Sequence, residues 1–198
     1  MSVVFGYIDK NKVYLAADNR LSDSNGKIIS DNTIKIEVIN KNVAVSFAGN
    51  HCLQEYFLKS YRNFSNYEEW LVEDLEKNIA GMCNWLKFVN EDWAKNVLKS
   101  IGCFIIAGKS KTGMVRLSTV KIENGNTSYE NRPVILYNPI DSDFNVCGNI
   151  LAKNIKFYYN KFASRTIKDI SKISKVVSPT GNLWVFDLKS DAGKLIAI

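Results

Sequence analysis

The sequence has few of the residues that build metal and redox centres. It contains one histidine, His51, and four cysteines (Cys52, Cys83, Cys103 and Cys147) that are far apart and form no Cys-x-x-Cys pair. This excludes the common zinc and redox motifs and any site with several histidines. We expect His51 to start a helix and the cysteines to be buried thiols in a reducing compartment. The sequence predicts no metal and no cofactor.

Proline and long apolar runs are also scarce. The 198 residues include three prolines and no Gly/Ser-rich stretch, so we expect one domain over residues 1–198. No apolar run approaches the roughly 20 residues of a membrane-spanning helix. Asp9 and Lys10 interrupt the first apolar run, which is unlike a signal peptide. These features predict a cytoplasmic protein that does not bind membranes.

The net charge of +6 is not concentrated in one segment that could serve as a nucleic-acid-binding element. The densest basic stretch, residues 153–175, spaces its cations at helical intervals with apolar residues between them. This pattern predicts a solvated helix face and not a nucleic-acid surface, and a surface for an acidic partner is the alternative.

The first half of the chain predicts two hairpins and then helices. Residues 3–9 and 12–18 are rich in β-branched and aromatic types, and residues 33–39 and 43–48 repeat this pattern. A helix is expected from His51 to about Tyr61. From Tyr67, apolar residues recur every three or four positions as far as Val97, which predicts a long helix that is capped by Ser65 or Asn66 and bends or breaks near 90–92.

The second half predicts further strands and helices in blocks. Strands are expected at 102–109, 113–122, 143–147, 183–187 and 194–198, and helices from Gly148 and over 165–176. Helices placed in blocks between antiparallel hairpins are typical of the α+β class. Two antiparallel sheets packed face to face, with helices on both outer faces, would bury every apolar stripe.

Three stretches near the start carry a resemblance to a known family. Val13–Arg20, Thr33–Ile36 and Phe47–Asn50 resemble the proteasome β-subunit family and its bacterial two-ring relatives, which are N-terminal-nucleophile hydrolases. The resemblance covers residues 2–60 well and continues weakly through 145–149 and 180–183. It implies a four-layer αββα sandwich of two antiparallel sheets flanked by helices.

The resemblance also implies site residues. Ser2 stands where the family has its N-terminal threonine nucleophile, and removal of Met1 would make it the first residue. Asp18 and Lys35 match the family's aspartate and lysine, and Gly49 matches the glycine whose N–H forms the oxyanion hole.

Two supporting positions follow, and one of them departs from the family. Arg20 matches a structural arginine. Asn149 stands where the family has a serine in a Gly-Ser-Gly turn, and about Val176 the family has an aspartate. Asp169 and Ser178 are nearby residues that would serve as substitutes.

The implied chemistry is sound on general grounds. A serine hydroxyl needs a base, and a free α-amine, with a pKa of about 7.7–8.0, is suited to that task. A lysine ammonium nearby would lower the pKa of the amine, and an aspartate would hold that lysine in place. A backbone N–H at Gly49 would stabilise an oxyanion.

The leading hypothesis is therefore a proteasome-like hydrolase, acting on peptide or protein substrates within a homo-oligomeric ring, with any ATPase partner unknown. A catalytically inactive structural or binding subunit is the second hypothesis. A non-peptidase amidohydrolase of the same superfamily is the third.

Overall fold

The computed structural model of the chain describes residues 3–23, 25–49, 51–89, 91–99 and 102–198, except for the side chains of residues 51, 52, 97 and 98. The strands in these ranges are β1 Val4–Asp9, β2 Lys12–Asp18, β3 Leu21–Ser22, β4 Ile28–Ser30, β5 Ile36–Asn40, β6 Val43–Gly49, β7 Gly102–Lys109, β8 Val115–Glu123, β9 Asn126–Asn131, β10 Val134–Tyr137, β11 Gly181–Asp187 and β12 Ala192–Ala197. The helices are α1 His51–Ser60, α2 Val72–Leu86, α3 Asp92–Leu98, α4 Phe144–Phe157 and α5 Phe162–Ile170.

The strands form two five-stranded antiparallel sheets and one small hairpin. The first sheet has the order β10-β1-β2-β11-β12, the second has the order β5-β6-β7-β8-β9, and β3 pairs with β4. Both predicted N-terminal hairpins are present, as β1–β2 and β5–β6. The first one turns at Lys10, whose φ of 51° lies in the left-handed region.

Three apolar clusters account for the faces of these sheets. One cluster lies between the sheets and includes Val4, Leu15, Ile105 and Trp184. A second joins the second sheet to α1, α2 and α3, and a third joins the first sheet to α4 and α5. Burial of these side chains, at about 25 cal/mol per Å² of apolar surface, is the main force that holds the elements together.

The α+β class predicted from the sequence is confirmed, together with its antiparallel sheets. Three details differ. The segment 143–147, predicted as a strand, is the start of α4, because the Asp143 side chain accepts hydrogen bonds from the N–H groups of Asn145 and Val146 and caps the helix. Strands β3, β4, β9 and β10 were not predicted, and the helix expected over 165–176 is α5, which ends at Ile170.

The long helix predicted from Tyr67 is divided. Residues 67–69 form a single 3-10 turn, α2 begins only at Val72, and a break separates it from α3. The Asn40 side chain donates to the carbonyl oxygens of Tyr67 (2.8 Å) and Trp70 (3.0 Å), which holds the residues before α2 against the end of β5. The Asp74 carboxylate accepts from Leu71 N–H and takes the capping role predicted for Ser65 or Asn66.

The prediction of buried thiols is confirmed for Cys83, Cys103 and Cys147, which are free and buried. Burial raises the pKa of Cys83 to about 11 and that of Cys103 to about 12. The side chain of Cys52 lies outside the described part of the structure. None of the helices in the described ranges combines the length and hydrophobicity needed to cross a bilayer.

Alanine substitution of two glycines, one in open space and one in a packed position, tests this packing. Gly81 lies in α2 with open space around its missing Cβ, whereas a Cβ on Gly181 would collide with the Ala17 carbonyl oxygen and the Ile167 side chain. We expect Gly81→Ala to raise the free energy of unfolding by about 1 kcal/mol through helix propensity. Gly181→Ala should lower it by about 1–3 kcal/mol. Urea denaturation measures both, and equal effects would contradict the packing described.

Candidate active site

The Asp18 carboxylate lies at the end of β2, fully buried, where four donors converge on it. Its Oδ1 accepts from Val3 N–H (3.0 Å) and from Lys35 Nζ (2.8 Å). Its Oδ2 accepts from the N–H groups of Arg20 (2.8 Å) and Ser178 (3.2 Å). A buried carboxylate is tolerated only when it is paired and hydrogen-bonded in this way.

Lys35 is the counterion of Asp18 and directly precedes β5. Its side chain is 6% exposed, and its carbonyl oxygen accepts from the Ser46 hydroxyl at 2.9 Å, which ties it to β6. Burial lowers the pKa of Lys35, and the Asp18 carboxylate offsets this only in part. The structure therefore brings together Asp18 and Lys35, two of the residues that the sequence predicts for the site.

Arg20 connects two loops close to this pair. Its guanidinium donates through Nε and Nη2 to Asp31 (2.6 and 3.1 Å) and through Nη1 to the Lys175 carbonyl oxygen (2.7 Å). The contact with the Asp31 carboxylate is bidentate, a geometry that an arginine side chain provides and a lysine side chain does not. Arg20 thus positions the segment that leads to Ser178, in keeping with the structural part that the resemblance implies for it.

Asp141 is a contributor that the sequence did not indicate. Its carboxylate accepts from Ser174 Oγ (2.6 Å) and Lys175 N–H (2.9 Å) and so holds the segment before Ser178. Burial opposes its ionisation, but these hydrogen bonds and one from Val176 N–H outweigh that effect and lower the pKa of Asp141. An isolated loop aspartate carries no spacing signal from which this role could be predicted.

Gly49 ends β6 with a φ of 133°, a region that favours glycine. The pairing of Ile36 with Ser46 and of Gly49 with Gly102 places Gly49 and Lys35 at the same end of the second sheet. The glycine is therefore close to the level of the buried pair, as an oxyanion donor would need to be. Its role in catalysis stays a prediction.

Ser2, together with Met1, lies outside the described residues, so the nucleophile also stays a prediction. The next residue in the chain, Val3, is held at the site by two hydrogen bonds with Asp18. Val3 N–H donates to the carboxylate, and the Val3 carbonyl oxygen accepts from Asp18 N–H at 3.2 Å.

Asn149 and the two nearby substitutes predicted with it, Asp169 and Ser178, do not lie together in the structure. Asn149 lies on the exposed side of α4, opposite the buried Cys147 and Leu151, and no described hydrogen bond joins it to Asp18 or Lys35. Its supporting role stays a prediction. Of the two substitutes considered, Ser178 donates to Asp18 through its backbone N–H, while its hydroxyl hydrogen-bonds the Thr180 hydroxyl. Asp169 is bonded on α5 to Asn154 and Lys172. A substitute role for either side chain stays a prediction.

The described residues include no cluster of three histidine, cysteine, aspartate or glutamate side chains placed to hold a metal. The arrangement places the buried ammonium of Lys35 close to Val3, whose backbone N–H and C=O groups are both hydrogen-bonded to Asp18. Such a charge lowers the pKa of a neighbouring amine or stabilises a neighbouring anion.

Comparison with known proteins adds no identification. The sequence matches no protein-family model, and no curated protein shows significant similarity to it.

Removing the charge of Asp18 tests the pair. In Asp18→Asn the amide nitrogen would face backbone N–H donors and Lys35 would lose its counterion, so we expect a loss of about 3–5 kcal/mol in the free energy of unfolding. Asp92→Asn is the matched control, because that carboxylate is 97% exposed, and its unfolding midpoint should remain near that of the wild type. Similar losses in both variants would contradict the assignment.

The lowered pKa of Lys35 predicts a pH dependence of stability. Between its folded value and the ordinary value of 10.5, the unfolded chain binds more protons at this lysine than the folded chain does. The contribution of Lys35 to the free energy of unfolding therefore rises with pH between those two pKa values. We expect the difference in unfolding free energy between the wild type and Lys35→Met to grow in favour of the wild type from pH 7 to pH 10 in urea titrations. A difference that is flat or shrinks would contradict the prediction.

Proposed function

We propose that this chain is an N-terminal-nucleophile hydrolase of the proteasome β-subunit type, which cleaves peptide or amide bonds with Ser2 once Met1 has been removed. The observation that carries the proposal is the buried Asp18–Lys35 pair with Val3 N–H bonded to the same carboxylate. An aspartate, a lysine and the start of the chain are the three parts that this chemistry needs in one place.

The arrangement of the core supports the proposal. The three clusters correspond to helices on the second sheet, the second sheet on the first, and the first sheet on the remaining helices. This order is compatible with the four-layer αββα sandwich of the family that the sequence resembles. Fold alone does not establish activity, so the argument depends on the site.

The proposed mechanism uses the ammonium of Lys35 to hold the α-amine of Ser2 in its neutral form. The neutral amine takes the proton of the serine hydroxyl, directly or through a water, as the hydroxyl oxygen attacks the carbonyl carbon of the substrate. The resulting oxyanion is stabilised by Gly49 N–H.

As the tetrahedral intermediate collapses, the C–N bond of the substrate breaks, and the protonated α-amine gives its proton to the leaving nitrogen, which departs as an amine. The α-amine then takes a proton from water as the water oxygen attacks the acyl carbon. The ester bond to Ser2 breaks, its oxygen takes that proton back, and the product acid is released.

An inactive structural or binding subunit is the second candidate, and one observation favours it. Val176, close to the position of a family aspartate, is a buried apolar residue, and Asn149 is exposed. In that case the fold and the ion pair persist as structural features. A small-amide hydrolase of the same superfamily is a further candidate. A homo-oligomeric ring, a cytoplasmic location and an ATPase partner belong to the proposal as expectations from the resemblance.

Labelling of the N-terminus tests the activity directly. In protein whose intact mass shows loss of Met1, we expect a serine-directed β-lactone to acylate Ser2 and to block hydrolysis of fluorogenic peptides. Ser2→Ala should lower the rate roughly 10³-fold or more, whereas Ser2→Thr should retain labelling because it keeps the hydroxyl.

Two results would reject the hydrolase in favour of the inactive subunit. The first is retention of Met1 in the native protein, since no free amine then lies beside the serine. The second is equal labelling of the wild type and Ser2→Ala in Met1-free samples.

A further inference from the structure

Strand β10 is the edge of the first sheet, and half of its backbone groups are directed outward. Ile8 N–H donates to the Pro133 carbonyl oxygen at 2.8 Å, which makes residues 8 and 133 a hydrogen-bonded pair. In an antiparallel ladder such pairs alternate with pairs that share no hydrogen bond. In the observed register, Val134 and Leu136 therefore direct their N–H and C=O groups away from β1.

A groove of about 500 Å³ runs along this edge. All four residues of β10 line its back, α4 forms its roof, and β7, β8 and β9 contribute its floor through Cys103, Thr119 and Glu130, among others. Its volume is within the range of ligand-binding clefts. A row of strand donors and acceptors thus lies at the back of a cleft and is not covered by a neighbouring strand in the described structure.

The roof of the groove leaves room for an occupant. Phe144, Gly148 and Ala152 follow one another at intervals of four along α4, so they share a face of the helix, and all three line the groove. The space around the missing Cβ of Gly148 is open to 4 Å, and Phe144 is 55% exposed. The roof is therefore apolar, and at its centre it is made of small residues.

The rim of the groove carries an excess of positive charge. Glu130 is the shared partner of two cations, Lys121 at 3.6 Å and Arg132, whose side chains are 59% and 64% exposed. One carboxylate facing two cations leaves one positive charge uncompensated. A ligand carboxylate would complete this cluster.

We propose that the groove binds an extended peptide segment, which adds as a strand to β10. Backbone groups of the peptide pair with the outward N–H and C=O groups of Val134 and Leu136, the binding mode known as β-strand addition. Side chains on alternate positions point to the two walls, so apolar residues meet α4 and acidic residues meet Lys121 and Arg132. The site is distinct from the Asp18–Lys35 pair, and the proposal does not depend on hydrolysis.

A second copy of the chain fits this edge less well. A symmetric pairing of two β10 strands would bring the two cationic rims, each with Lys121 and Arg132 around one Glu130, against each other. A single extended segment meets no such obstacle.

Strand addition is tested by removing one outward N–H without disturbing β1. The probe is fluorescein-labelled Val-Glu-Val-Glu-Val-Glu-amide, added to the Ser2→Ala protein so that no cleavage occurs, and binding is followed by fluorescence anisotropy. Because the Val134 N–H is directed outward, proline is tolerated there. We expect Val134→Pro to weaken binding at least tenfold, and Val134→Ala, which shortens the same side chain but keeps the N–H, less than threefold.

A second pair of variants tests the roof. Ala152→Trp should fill the groove and weaken binding at least tenfold, whereas Lys153→Trp, at the adjacent exposed position outside the groove, should not. A Val-Lys-Val-Lys-Val-Lys-amide probe should bind at least tenfold more weakly than the acidic one. Circular dichroism and the urea midpoint verify that each variant is folded.

Three results would overturn the proposal. One is equal binding by folded Val134→Pro and Val134→Ala. Another is no saturable binding of the acidic probe at millimolar concentration. The third is a wild-type dimer that Val134→Pro converts to a monomer in light scattering, which would identify a second copy as the occupant of this edge.

Discussion

The structure depends on one buried carboxylate, that of Asp18. It is satisfied by donors from four separate segments: the residue before β1, the turn after β2, the residue before β5 and the loop before β11. A buried charge without these partners would cost several kcal/mol. The four segments therefore have to assemble together, and residues that are far apart in the chain are held within hydrogen-bond distance.

The same requirement explains the loops around the site. Arg20 joins Asp31 to the Lys175 carbonyl oxygen, and Asp141 holds Ser174 and Lys175. These contacts fix the approach of the chain to Ser178, whose N–H completes the set around Asp18. The two sheets supply the frame, and the loops supply the hydrogen bonds that make a charged pair tolerable inside it.

Local patterning accounts for what could be predicted and for what was missed. The β1–β2 and β5–β6 hairpins follow from β-branched and aromatic runs separated by polar turns, a signal contained within twenty residues. The strand predicted at 143–147 was wrong because a short apolar run fits a helix equally well, and the Asp143 cap decides between them. The helix predicted from Tyr67 begins only at Val72, and the residues before it are held by the side chain of Asn40, which lies 27 residues before Tyr67 in the chain.

The sequence by itself determined the α+β class and the hairpins, because alternation and spacing are local properties. It also indicated Asp18 and Lys35 as a pair, through the resemblance. Only the tertiary structure decided that Ser178, 160 residues from Asp18, donates to it, that Asp141 holds the intervening loop, and that β10 is an edge at the back of a groove. Such contacts depend on how distant segments pack, and no local pattern records which segments will meet.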